Sequence, residues 1–219
     1  MKKENLERML ENMLSTGGDF AEIFIEDKKT TIYNYIDSNL DGYSVNYSSG
    51  LGLRLAKKNN VYYAATNDFS NKNINLIINS LKENINGKVI YNYVSLNRIK
   101  KYKNNHKTHY TNDDIKKLFN DLDKKIRSKD ERINQVSLNL QNVKQNVTIA
   151  RENGLFKGEE RERTRLYITI SLKDNDKSCN ITYSYGKTIS LDLLDEINYD
   201  EVINNLVKEG LDKLYAKPC

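Results

Sequence analysis

From Ala21 to Thr66 apolar residues recur mainly at every second position, a spacing that suits strands with one buried face. Ala21, Ile23 and Ile25 alternate with Glu22, Phe24 and Glu26, which predicts a strand. The charged stretch Asp27-Lys28-Lys29 reads as a turn into a second strand over residues 31–36. Tyr43, Val45 and Tyr47 begin a third, and Leu51, Leu53 and Leu55 alternate with Gly52, Arg54 and Ala56. Asn59-Asn60 is a candidate hairpin turn into a strand over residues 61–66. Helices frame this run. Leu6, Met9, Leu10, Met13 and Leu14 make one apolar stripe, ended by Gly17-Gly18. Ile74, Ile77, Ile78, Leu81 and Ile85 make another, capped by Asn67-Asp68 or Ser70 and ended at Asn86-Gly87.

The same order recurs further on. Thr111-Asn112-Asp113-Asp114 opens a helix, its carboxylates placed where the helix dipole favours them, and Ile115, Leu118, Phe119, Leu122 and Ile126 form its stripe. Strands are expected over residues 132–141, 145–151, 165–172 and 179–185, with Asn153-Gly154 as a turn. A last helix over residues 199–215 stops before Pro218, the only proline in the chain. Helix, strands, helix, twice over, predicts an α+β fold: antiparallel sheets with helices packed on one face. Residues 1–100 read as one helix–meander–helix domain and 101–219 as a second α+β segment, although no linker-like composition separates them.

Composition removes several functional classes. With 35 basic and 30 acidic residues interspersed, the net charge of +5 is no nucleic-acid footprint. Cys179 and Cys219 provide neither a disulfide framework nor a CxxC metal site. The first residues are amphipathic, with Glu4, Glu7 and Glu11 interrupting any secretory apolar core, and no later stretch approaches a membrane span. A cytoplasmic protein without membrane contact is the expectation.

Candidate chemistry is sparse. His106 and His109, the only histidines, spell HKTH, but a third zinc ligand is not evident and the flanks are cationic, so both read as solvated loop residues. The run Glu159-Glu160-Arg161-Glu162-Arg163 alternates in sign ahead of a strand and reads as a solvated charge run. Between Tyr91 and Tyr110, Arg98, Lys100, Lys101, Lys103 and Lys107 interleave with Tyr93 and Tyr102, the residue types of a single-stranded nucleic-acid surface, though without a strand motif to present them. Arg54 is the most informative single charge. It sits mid-strand opposite the leucine face, where it is either solvent-exposed or a contact for a partner subunit or a peptide carbonyl.

Several stretches together carry a family resemblance: GGDFAEIFIED after the first helix, NYSSGLGLRL, YAATNDFS, INQVSLNLQNV, the Asn153-Gly154 turn, ERTRLYITISL and the closing LYAKPC. In this order they resemble the N-terminal half of the TldD/PmbA family of zinc metallopeptidases, nearer the TldD branch. The resemblance implies a homo- or heterodimer that cuts unfolded or small peptides in an enclosed cleft. Zinc is held there by HExxxH in a C-terminal half. No HExxxH occurs here, so no catalytic or metal residue is carried over, and no cofactor is expected in this chain. The expectation is an excised or naturally truncated non-catalytic portion, metallopeptidase only as part of a full-length protein. Its partners would be itself or a TldD/PmbA-type subunit. The rival reading is a stand-alone peptide- or nucleic-acid-binding module using residues 91–110.

Overall fold

The computed structural model describes residues 1–91, 94–98 and 108–216. The amphipathic first segment forms α1 (Lys3–Leu14), burying Leu6, Met9, Leu10, Met13 and Leu14 on one stripe. Gly17 follows at φ +92, and a Cβ there would stand 2.6 Å from the backbone of Gly87. Any other residue would be strained and would force the two segments apart.

The strands are longer than the sequence suggests. β1 runs unbroken over Phe20–Ile36, straight through Asp27-Lys28-Lys29. The lysines stay in the strand because each has a neighbour: Lys28 lies 3.7 Å from Glu26, and Lys29 sits over the Tyr47 ring. The turn falls instead at Asp37-Ser38, both left-handed (φ 48 and 65), as in a two-residue primed hairpin. β2 (Asn39–Lys57) and β3 (Asn60–Thr66) follow, joined by Lys58-Asn59, with Lys58 at φ 55. The hairpin turn thus lies one residue earlier than Asn59-Asn60. α2 (Asn71–Lys82) starts at Ser70, whose hydroxyl accepts the Asn73 N–H.

A two-residue strand, β4 (Asn97–Arg98), precedes α3 (Asn112–Arg127), where Thr111 and Asp114 form a reciprocal capping box. β5 (Ile133–Arg151) and β6 (Leu155–Asp174) are again single strands where the sequence suggested breaks. Within the expected break after residue 141, Asn142 is a buried cross-link, donating to Glu162 Oε1 and to Thr164 Oγ1, both at 2.9 Å. Thr164 in turn donates to the Ile189 carbonyl. The charge run at residues 159–163 is therefore part of β6, and Glu162 is buried, not solvated. β7 (Lys177–Lys187), a 3-10 helix (Leu191–Glu196) that the sequence pattern did not suggest, and α4 (Tyr199–Leu214) complete the chain.

Strands pair in the order β3-β2-β1-β5-β6-β4, with β7 also pairing β6. The β2–β3 and β6–β7 pairs are antiparallel and the short β4–β6 pair is parallel. The fold is α+β. Two compact units can be distinguished: residues 1–29, 47–104 and 145–161 form one, and 30–46, 105–144 and 162–219 the other. In the first, α1 and α2 bury Ile23, Leu51, Leu53 and Leu55. In the second, α3 and α4 cover Leu138, Leu140, Leu166, Ile168 and Ile170. Among the described residues no helix is long and apolar enough to cross a membrane.

The left-handed turn is tied down electrostatically. Asp37 accepts the Val136 N–H at 3.1 Å and pairs with Arg127, which also bonds the buried Asp123. Partial burial pushes the Asp37 carboxyl up, but the Val136, Gln135 and Arg127 bonds outweigh it and hold it below the usual carboxylate range. A depressed pKa stabilises above the unfolded value and loses that stabilisation as pH falls through the folded one. Asp37→Asn, which still tolerates the left-handed turn, should cost about 1 kcal/mol at pH 7. Urea midpoints measured from pH 7 down to pH 3 should show the difference from wild type shrinking.

Candidate functional site

Alternation along β1 and β2 that buries Ile23, Leu53 and Leu55 sends Glu22 and Arg54 to the other face of the first unit. Here the carboxylate, not the arginine, is the residue taken out of water. Glu22 has a side chain only 8% exposed, whereas Arg54 is 48% exposed. Arg54 Nη2 lies 3.2 Å from Glu22 Oε1. Arg151, from the end of β5, places Nε and Nη2 each 2.6 Å from Glu22 Oε2 and lies over the Phe20 ring. One buried anion thus meets two guanidiniums, leaving a net cationic point on a half-open surface. Arg54 is exposed, and its partner is a buried carboxylate of its own chain. Glu22 and Arg151 were not legible as its partners, because only the register of three strands brings them together.

Beside this cluster a groove of about 500 Å³ is lined by Phe24, Glu26, residues 48–52, Tyr63 and residues 65–67. Its floor is low because Gly50 and Gly52 have no side chains. The Tyr63 hydroxyl leans over Gly52, 2.8 Å from where a Cβ would stand. Aromatic walls, a floor left open at Gly50 and a nearby guanidinium suit an extended chain, whose carbonyls accept from arginine.

The other candidates fare differently. His106, Lys100, Lys101, Lys103, Lys107, Tyr93, Tyr102, Pro218 and Cys219 lie outside the described residues, as does the side chain of Arg98. His109 is 68% exposed and lies 3.8 Å from Asp192 and from Asp195. Ligating atoms of the three lie within 4.8 Å of one another. This set does not match a zinc-peptidase helix. His109 precedes α3 in non-helical backbone; Asp192 Oδ2 accepts from Ser190 and Asp195 Oδ1 from Tyr110, while the other oxygen of each carboxylate faces His109. Burial first, then Asp195 and Asp192, raises the Tyr110 hydroxyl well above its ordinary pKa, so it remains a donor. Glu162, which the sequence placed in a solvated run, is held by Asn142 and lies 3.5 Å from Lys144.

Comparison with known proteins places this geometry. Residues 21–85 match the PmbA/TldA metallopeptidase domain 1, and residues 105–214 match the PmbA/TldA metallopeptidase central domain. The chain belongs to the TldD/PmbA metallopeptidase family. Among solved structures it is similar to a proposed modulator of DNA gyrase from Bacteroides thetaiotaomicron, with a TM-score of 0.73 at 15% identity, covering 99% of this chain and 51% of that one. A second proposed gyrase modulator, from Thermotoga maritima, gives 0.69 at 13% identity, covering 97% and 48%. TldE from Thermococcus kodakarensis gives 0.63 at 16% identity, covering 94% and 46%. The chain spans about half the length of these structures. No match was found among curated proteins.

Glu22 lets the electrostatics be tested. Arg54→Ala leaves the carboxylate with Arg151 and should cost about 0.5–1 kcal/mol, the range of an exposed ion pair. Arg151→Ala should cost more. Removing both strands a buried charge, and the loss should exceed the sum of the single losses, approaching about 3–5 kcal/mol. Thermal or urea unfolding of the three variants gives the double-mutant cycle.

Proposed function

We propose that this chain is a non-catalytic portion of a TldD-like peptidase, shaping its dimer and the enclosed cleft through which peptides reach the zinc. The observation that carries this reading is the pairing of the family's first and central domains with a sequence that contains no HExxxH. Among the described residues the cluster with metal-ligating groups, His109 with Asp192 and Asp195, has neither the spacing nor the helix of HExxxH. Zinc and the cleavage of unfolded or small peptides then belong to a C-terminal portion of the full-length protein, and this chain holds no cofactor of its own. Its partner is a second copy or a TldD/PmbA-type subunit, in the cytoplasm.

Within this role the helix-free face of the first unit has a defined task. The groove lined by Phe24, Gly50, Gly52 and Tyr63 is shallow and open at Gly50, which admits an extended backbone and excludes folded surfaces. Arg54, half exposed and held by Glu22, presents its remaining donors to a peptide carbonyl or to a partner.

The chain purified alone should carry no stoichiometric zinc by mass spectrometry and should not cleave an unstructured peptide. Co-expressed with a zinc-bearing TldD-type subunit, it should co-purify, and the complex should cleave that peptide but not a folded protein. Hydrolysis by the chain alone, abolished by a chelator, would overturn this reading.

A further inference from the structure

We propose that β3 is the seam of a two-fold dimer, its outer edge pairing antiparallel with β3 of a second copy of this chain. The inference rests on the association proposed above and names the surface that carries it.

β3 is the last strand of the sheet. Each of its residues from Asn60 to Thr66 has a partner in β2, running from Lys57 to Leu51. On the other side, among the described residues, nothing hydrogen-bonds to the backbone of residues 60–66. A row of main-chain donors and acceptors therefore faces outward along seven residues. Natural edges are usually blunted by charged side chains, proline, a bulge or a covering element. This one, Asn-Val-Tyr-Tyr-Ala-Ala-Thr, has none of the first two, and its register with β2 is unbroken by a bulge. Val61 and Tyr63 are 62% and 66% exposed on it, so apolar surface accompanies the open backbone.

The occupant is argued from self-complementarity. A two-fold axis through Tyr63 sets Val61 against Ala65, Tyr62 against Ala64 and Asn60 against Thr66. Val61 and Tyr62 meet alanines, Tyr63 meets its own copy on the axis, and no like charges oppose each other. The flanks complete the match. The strand is entered from Lys57-Lys58 and left through Asn67-Asp68. In an antiparallel pair the basic turn of each copy lies beside the acidic exit of the other, twice across the axis. Lys58 and Asp68 are both exposed, and one Asp68 oxygen caps the Ser70 N–H. An extended peptide would use the same backbone row but would not require opposite charges at the two ends. A copy of the chain supplies both.

The test is charge reversal in the full chain, read as the dimer dissociation constant by analytical ultracentrifugation. Lys58→Asp and Asp68→Lys should each weaken dimerisation about tenfold. Mixing the two single variants, or combining them in one chain, restores opposite charges at each end and should return affinity to within about threefold of wild type. Such rescue is not produced by a general loss of stability, and melting curves of each variant exclude misfolding. A dimer whose affinity is unchanged in all variants would overturn the β3 seam while leaving association intact. Failure to associate, alone or with a TldD-type subunit, would remove the underlying reading as well. A monomer that captures an unstructured peptide, more weakly after either reversal, would assign the edge to peptide and overturn the dimer.

Discussion

A strand has two faces and, with helices on one side, can bury only one of them. That constraint orders the rest of the molecule. In the first unit Ile23, Leu51, Leu53 and Leu55 lie beneath α1 and α2, and each fully buried aliphatic side chain contributes on the order of 1.5–3 kcal/mol. Slipping β2 by a single residue would drive Arg54 into that apolar layer and lift three leucines into water. The register that buries the leucines therefore also decides where Arg54 stands, and through it which carboxylate must answer it. The second unit obeys the same rule with Leu138, Leu140, Ile168 and Ile170.

Where a polar group does fall on the buried row, it is satisfied. Glu162 and Thr164 continue the row of Leu166, Ile168 and Ile170 along β6, and Asn142 on β5 bonds both. Buried amide-to-carboxylate and amide-to-hydroxyl bonds are directional in a way that leucine contacts are not, since only one alignment of the strands completes them. Such a cross-link fixes alignment where the apolar pattern has run out. In the first unit Glu22 does the same on the face away from α1 and α2, between two arginines from different strands.

Much of this was legible. The stripes of α1, α3 and α4, the Ser70 and Thr111 caps and the Asn153-Gly154 turn follow from local rules, and the structure keeps them, whereas α2 ends at Lys82 and leaves Ile85, expected on its stripe, buried beyond the helix. The breaks within strands were misread because charge was taken as a mark of a turn. Asp27, Lys28 and Lys29 carry turn-like composition, yet a half-solvated strand accepts them when a ring or an opposite charge lies alongside. The run from Glu159 to Arg163 misled in the same way, because the partner that buries Glu162, Asn142, lies 20 positions away on another strand. Arg54 was visible as a mid-strand charge, while Glu22 looked like any other solvent-facing glutamate. Its burial arises from Arg151, 129 positions away, and no local signal reports that.

One attachment in the first unit is made neither by a ladder nor by packing alone. The backbone N–H groups of Val94 and Leu96 are received by Glu11 and Glu7 of α1, at 3.1 and 2.9 Å, while both side chains are buried. Two carboxylates one helical turn apart thus imitate the edge of a neighbouring strand, matching the two-residue repeat of an extended segment with the four-residue repeat of a helix. Such a clasp couples residues 94–96 to α1, while the next two, Asn97 and Arg98, join the sheet through β6. Loosening α1 would therefore expose the Val94 and Leu96 amides to exchange even while Asn97 and Arg98 stay paired with β6.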